Sequence, residues 1–260
     1  DLVRSRGLGD VYKRQYQNNL LTLKGGVNLH YFTTMPGEVG KSGKDSNITP
    51  SEMSRKSLWD AALYAEANYK FLPRFLLNAG VRLSVLHAPA STYYAAKTFV
   101  MPEPRAELSF IPNASHRFSA SYTQAAQSIH MLTTSSVGIP SDMWMPANAL
   151  LKPSVMRQLA LGYEYNFPDK EYTLSLEAYM RRTNHVVDYR KNADIFQNDR
   201  IEDEVETGSA RGCGLESYLS KNKGAVTGWI SYTLSRARNR IGGEEYLPVY
   251  DRPHNLKLFV

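Results

Sequence analysis

Cysteine is nearly missing from this chain of 260 residues: Cys213 stands alone, which excludes an internal disulfide and a cysteine-built metal cluster. Long apolar runs are missing as well. No stretch approaches the roughly 18 apolar residues of a membrane-crossing helix, and the mean hydropathy is -0.42. A helical membrane protein is thereby excluded. A β-barrel is not, because its strands alternate apolar with polar residues and average out low. A strong charge of one sign is absent too. The formal net charge is +6, and the Lys and Arg are scattered without interleaved aromatics, so no nucleic acid partner is expected.

Chemistry-bearing motifs are equally scarce. The histidines His30, His87, His116, His130, His185 and His254 fall at no metal-ligand spacing. No serine sits in a G-x-S-x-G context and no carboxylate pair stands out for acid and base work, so neither an enzyme nor a cofactor is expected. In GEVGKSGK, residues 37–44, a phosphate-binding loop would need glycine at position 35, where Met35 stands, and the run reads as an ordinary loop. The acidic run IEDEVE lacks the ligand order of a calcium loop and reads as a solvated loop. The opening DLVRSRGLGDVYKRQ has no apolar core of a signal peptide and resembles a translated linker. Residues 1–15 are therefore set apart and residues 16–260 carry the fold.

What is present is alternation. Between residues 154 and 167, Leu159, Leu161, Tyr163, Tyr165 and Phe167 alternate with polar residues; after Pro168 and Asp169, Tyr172, Leu174, Leu176, Ala178 and Met180 do the same. A period of two describes strands, and Pro-Asp supplies the turn. Each arm has about the length of a tilted strand crossing a bilayer. The pattern recurs along the chain and gives about ten strands. Short turns near Pro73, Asn113, Pro168 and Asn222 alternate with long connections of about fourteen residues or more. Sorting of loop length by parity is the habit of outer-membrane barrels, and loops this long are uncommon in compact soluble domains. The expected fold is all-β, an antiparallel up-and-down transmembrane β-barrel.

Side-chain roles follow from the alternation. Arg82, Glu107, Arg117, Glu164, Glu177 and Arg211 are expected to face the lumen, since an Arg facing lipid at the midplane costs about 2–4 kcal/mol. Tyr69, Phe71, Tyr163, Phe167 and Tyr172, beside the short turns, and Trp59 at the opposite end are expected to form the lipid-interface girdles. Among the long loops, the one holding His130, Asp142 and Trp144 is the candidate ligand contact, because an aromatic flanked by Met143 and Met145 in a polar loop can meet a ligand; the alternative is that Trp144 packs the loop onto the barrel rim.

The stretches PEPRAELSFIPNASHRFSASYTQAAQ, DMWMPANALLKPSVMRQLALGYEYNF with YTLSLEAYMRRTNHVVDYR, and GLESYLSKNKGAVTGWISYTLSRA before YDRPHNLKLF resemble the barrel domain of TonB-dependent outer-membrane receptors of the Bacteroidetes type. That resemblance implies a larger, 22-stranded barrel of which this is a fragment, in the bacterial outer membrane and in contact with its lipid. It also implies a plug domain elsewhere in the full-length chain, a TonB-type inner-membrane energy-transducing complex as partner, and uptake of a siderophore, vitamin, glycan or peptide. A passive porin-like channel and a surface adhesin or glycan-binding β-protein are the other readings of the same residues.

Overall fold

The hairpin read between residues 154 and 182 sits near the middle of one large sheet. In this computed structural model, residues 6–35, 38–39, 51–52, 55–132, 142–169, 171–193, 198 and 200–260 are described. In order, the strands are β1 Arg6–Gln17, β2 Leu21–Thr34, β3 Glu38–Val39, β4 Ser51–Glu52, β5 Lys56–Leu72, β6 Phe75–Ala88, β7 Lys97–Phe110 and β8 His116–Gln127. They continue with β9 Ile129–Leu132, β10 Met143–Pro146, β11 Ser154–Asn166, β12 Tyr172–Tyr189, β13 Val205–Lys221, β14 Gly228–Ile241, β15 Glu244–Tyr246 and β16 His254–Phe259, with a 3-10 turn at Ile201–Glu204. The 12-stranded sheet runs β1-β2-β5-β6-β7-β8-β11-β12-β13-β14, and β14 then pairs with β15 at one end and β16 at the other. Long strands pair with their neighbours antiparallel, and the sheet is open between β1 and the β15–β16 edge.

The short turns at 18–20, 73–74, 111–115, 167–171 and 222–227 lie at one end of the sheet. Three are closed by a side chain accepting backbone N–H groups, as turn-forming Asn and Asp do. Asn18 Oδ1 accepts from Leu20 and Leu21, Asn113 Oδ1 from Ser115 and His116, and Asp169 Oδ1 from Glu171. The long connections lie at the other end. β1 covers residues that the sequence pattern sets apart; it pairs with β2 from Arg6–Thr33 to Gln17–Thr22, and an edge strand adds to a sheet through its backbone whatever its side chains.

Exposure separates the two faces. Leu23, Val27, Leu63, Val81, Leu83, Leu108, Phe118, Leu159, Leu161, Met180, Leu215 and Ile230 are exposed large hydrophobics, and the register sets them all on one face. Neighbours show the contrast: Leu58 is 0% exposed and Trp59 44%. Leu58, Leu86 and Ala88 form a buried cluster with Phe32, Phe99 and Met101 on the opposite, inward face near the long connections.

Three expectations are corrected. The segment 88–101 reads as a loop from its sequence, yet β7 begins at Lys97 and leaves only 89–96 as connection. Pro102 and Pro104 hid the strand. They pair with Leu83 and Val81 of β6, while pairing with β8 starts only at Arg105, because proline has no N–H for a second ladder. Side chains fill the gap: Gln124 Nε2 donates to the Pro102 carbonyl at 2.7 Å and the Ala126 N–H donates to Glu103 Oε2 at 3.2 Å. Second, the described parts of the stretch 124–153 hold regular elements that its sequence hides: β8 runs on to Gln127, and β9 and β10 pair from Ile129–Pro146 to Leu132–Met143. Third, Arg211 does not face the lumen. It stands opposite Arg182 and two residues from Cys213, which pairs with Met180, so it lies on the outward face. The glycines of β13 obscured this parity. Gly214 lies beneath the Tyr179 ring, where a Cβ would come within 2.8 Å, and Gly is kept where another group approaches this closely.

Candidate functional site

At the long-connection end the chain builds a cap. Leu132 and Met143, from β9 and β10, pack with Met145, Leu151 and Ile201 into a buried cluster, against which Val187, Tyr189 and Val205 rest. Alternation along β10 explains which methionines are inside: Met143 and Met145 are 8% and 0% exposed, and Trp144 between them is 40% exposed. A strand turns successive side chains to opposite faces, so the Met pair anchors the hairpin and Trp144 is presented outward from it.

Polar groups hold the cap to the wall. Lys56, at the start of β5, donates to Glu202 Oε1, which also accepts from Asn148 Nδ2 at 2.9 Å. Asn148 Oδ1 accepts the Leu150 and Leu151 N–H groups at 2.9 and 3.0 Å. Arg190 makes a two-pronged contact with Glu204, Nε to Oε2 at 2.8 Å and Nη2 to Oε1 at 2.7 Å. Glu202 and Glu204 are buried. The acidic run is therefore partly an internal anchor and not a solvated loop. Burial without partners would be costly for these carboxylates, and each has a cationic partner and a second hydrogen bond. Lys56 and Glu202 are 146 residues apart, and no sequence pattern links them. Tyr94, beside this anchor, has its hydroxyl pushed up by burial and by the Glu202 charge.

The three loop candidates are not brought together as one set of contacts. His130 is 4% exposed; its Nε2 lies 3.0 Å from the Lys152 carbonyl and its Nδ1 3.4 Å from Ser154 Oγ. Burial lowers its pKa, the Lys152 carbonyl opposes that, and the nearby His185 charge lowers it further. Ser154 Oγ in turn donates to the His185 carbonyl at 2.7 Å, at a bulge in β12 where His185 takes φ 56. His130 is thus a fastener under the cap, and Asp142 and Trp144 are exposed on it. Residues 133–141 and most of 37–44 lie outside the described residues.

Down the inward face runs a ladder of charges. Arg117 Nη2 donates to Glu107 Oε1 at 2.7 Å and to Ser109 Oγ at 3.1 Å. Arg82 Nε donates to Ser84 Oγ at 3.0 Å and stands 3.6 Å from Glu103 Oε1, with Asp60 at 3.9 Å. Arg105 meets Glu66 at 3.4 Å. Glu164 pairs in register with Arg117, and Glu177 with Gly162 and Glu216. These groups are half-buried or exposed, suited to a watery or protein-filled interior and not to hydrocarbon. Among the described residues, no group of three or more His, Cys, Asp or Glu is placed to hold a metal ion.

On the outward face, rings run in a chain beside the short turns. Centroids are 6.2 Å apart for Tyr69–Phe71, 5.7 Å for Phe71–Phe75, 4.8 Å for Phe75–Phe110, 6.4 Å for Phe110–Phe118 and 5.0 Å for Phe118–Tyr163. His116 joins Tyr163 to Tyr165, and Phe167 joins Tyr165 to Tyr172. Phe110, Phe118 and His116, which the sequence reading leaves out, join this chain of rings through the register that sets them beside Phe75, Tyr163 and Tyr165. At the far end Trp59 packs on Tyr31 at 4.6 Å.

Comparison with known proteins follows the same lines. The family described as TonB dependent receptor-like, beta-barrel matches residues 4–256. No curated protein sequence matches. Solved structures with the same fold include the ferric-catecholate import receptor Fiu of E. coli K12, 16% identical with a TM-score of 0.68, over 98% of this chain and 42% of that one. The FrpB iron transporter of Neisseria meningitidis is 16% identical with a TM-score of 0.66, over 92% of this chain and 36% of its own. The ferripyoverdine receptor of the outer membrane of Pseudomonas aeruginosa is 16% identical with a TM-score of 0.61, over 98% and 35%. The chain thus spans well under half the length of these proteins. With a family pattern running through nearly all of it, on an antiparallel sheet that carries one apolar and one charged face, the chain belongs to the TonB-dependent receptors, within their β-barrel domain.

Proposed function

We propose that residues 16–260 form part of the wall and outer mouth of a bacterial outer-membrane receptor that imports a scarce nutrient with energy from a TonB-type inner-membrane complex. In this reading the sheet is one portion of a larger, closed barrel. A plug domain from the same full-length chain packs on the inward charge ladder around Arg82, Glu107 and Arg117. The cap built on Leu132, Met143 and Met145 presents Trp144 and Asp142 to the ligand. Residues 1–15 are left outside this unit.

The observation that carries the reading is the asymmetry of the two ends. Tight turns close one end, while the other bears a cap held by its own buried cluster and by Lys56, Asn148 and Glu202. A fixed cap at a barrel mouth is what selective capture requires, because contact residues must be held in place before binding. The ligand is a siderophore, vitamin, glycan or peptide; ferric chelates come first in testing because Fiu and FrpB, which share the fold, are named for iron import.

The test is uptake of radio-iron, offered as ferric catecholates, by cells that make the complete receptor. Saturable uptake that a protonophore abolishes supports the proposal, and Trp144→Ala is expected to weaken binding about tenfold, the equivalent of about 1.4 kcal/mol. Uptake that stays linear in concentration and ignores the protonophore would mean a passive channel. Absence of iron uptake with protonophore-sensitive uptake of cobalamin, an oligosaccharide or a peptide would keep the importer and change its cargo.

A further inference from the structure

The outward face of β11 to β14 carries a row of arginines that the import reading does not use. Arg157 stands opposite Arg182, Arg182 opposite Arg211, and Arg211 opposite Arg238. Arg236 and Arg240 flank Arg238 along β14, and residues two apart in a strand share a face. All six are exposed. Like charges set directly opposite one another oppose strand pairing, so a row of this kind calls for anions. The protein supplies one, Glu245, which meets Arg238 Nη1 at 2.5 Å. Its carboxyl is held below the usual range by the Arg238 hydrogen bond and by the charges of Arg238, Arg211 and Arg240. Arg157 has a neutral partner, Gln124 Oε1 at 2.8 Å. Among the described residues, Arg182 and Arg211 have no carboxylate within ion-pair reach.

Height places the row. Arg182 is ten residues along β12 from Tyr172, the last ring of the aromatic chain. Ten residues span about 33 Å of strand, or about 25 Å of height at the usual barrel tilt, which is the thickness of the apolar band. The β5 strand repeats the spacing with a different residue, for Trp59 is ten residues from Tyr69. One arc of the wall thus meets the outer boundary of the hydrocarbon with Trp59 and Tyr31, and the other with arginines. One step beneath the row Leu159, Met180 and Cys213 stand in register with Arg236, and a groove of about 710 Å³ is lined by Leu159 and Met180 together with Arg157, Arg182, Arg211 and Arg238.

We propose that this groove binds a lipid of the outer leaflet whose head group carries more than one phosphate. The phosphates sit on the arginine row and the acyl chains lie along Leu159, Met180 and Leu215. Guanidinium groups suit this work because their planar forks hold phosphate oxygens in pairs. The row spans about 14 Å across four strands, more than a single phosphate covers. The apolar floor distinguishes a lipid from a free anion. This inference rests on the outer-membrane reading, and its test separates the two.

The complete receptor is purified in detergent and first checked for heat-modifiable migration, which reports the barrel independently of the site. Binding is then measured by native mass spectrometry with three probes: a bisphosphorylated glycolipid in micelles, the same glycolipid stripped of phosphate, and inorganic phosphate alone. The expected result is retention of the bisphosphorylated lipid only, with at least about a tenfold loss in Arg182→Gln/Arg211→Gln and only partial recovery in Arg182→Lys/Arg211→Lys, which keeps the charge and loses the fork. Equal retention by wild type and the double Gln variant, retention of the dephosphorylated lipid, or equal binding of inorganic phosphate would each overturn the site while the barrel stands. A wild-type receptor that is not heat-modifiable would overturn the membrane reading and the site with it. If the double variant does not insert, Arg182→Gln alone carries the comparison, with a smaller loss expected and no loss overturning the site.

Discussion

At the scale of single residues, His130 shows how the cap is tied down. Its ring is buried between the Lys152 carbonyl and Ser154, and burial disfavours the imidazolium, so its pKa lies below the ordinary histidine value. The sign of the pH dependence follows. Above about pH 6.5, the unfolded value, both states are neutral and the cap has its full stability. As pH falls below that value the opened state takes up a proton first, and stability declines until the lowered folded pKa is passed. Hydrogen exchange of the β9 and β10 amides in the complete receptor, corrected for intrinsic rates, should therefore show less protection at pH 5.5 than at pH 7.5. His130→Asn should remove most of that slope; an unchanged slope would mean that another group sets it. His130 was legible as a residue worth naming, but its role was not, since nothing local to Ile129–Leu132 reveals that Lys152, Ser154 and His185 close over it.

A strand is legible in this sequence where its two faces meet different surroundings and hidden where they do not. β5, β6, β11 and β12 cross an apolar band on one side and a charged interior on the other, which writes period two into the sequence. Above that band the strand ends and the β9–β10 hairpin pack on the buried cluster of the cap instead of between two continuous faces, and the pattern fades. The ends of β12 and β13 at Tyr189 and Val205 and the whole β9–β10 hairpin were lost for this reason. β7 was shortened by its prolines, and there the structure substitutes Glu103 for a missing ladder partner. Glu103 also accepts from Ser84 Oγ at 2.6 Å and faces Arg82. Glu103→Ala should leave the Ala126 N–H and Arg82 short of an acceptor, loosening the β7–β8 seam by about 1–3 kcal/mol. Faster amide exchange at Ala126, with the Phe110–Phe118 end unchanged, is the expected outcome; no change at Ala126 would show that the seam does not depend on this carboxylate.

For the whole molecule, the open edges matter most. β1 ends the sheet on one side and β15 with β16 on the other, and an unpaired edge in hydrocarbon leaves N–H and C=O groups without partners. Residues 16–260 expressed alone should therefore give no heat-modifiable, protease-resistant barrel in detergent, whereas the complete receptor should; a closed barrel from this segment on a denaturing gel would overturn its assignment as part of a larger wall. The amino-acid sequence by itself determined the all-β class, the alternation of tight turns with long connections, and the sharing of one sheet face by Arg82, Glu107, Arg117, Glu164 and Glu177. These are local or periodic properties, fixed by neighbours a few residues away. Tertiary structure decided what depends on register and on distant partners. It set Arg211 in an outward row with Arg157, Arg182 and Arg238, because one side chain's face is fixed by the strand beside it. It also joined Lys56 to Glu202 and buried His130, because chain closure across many strands brings together groups that no spacing in the sequence relates.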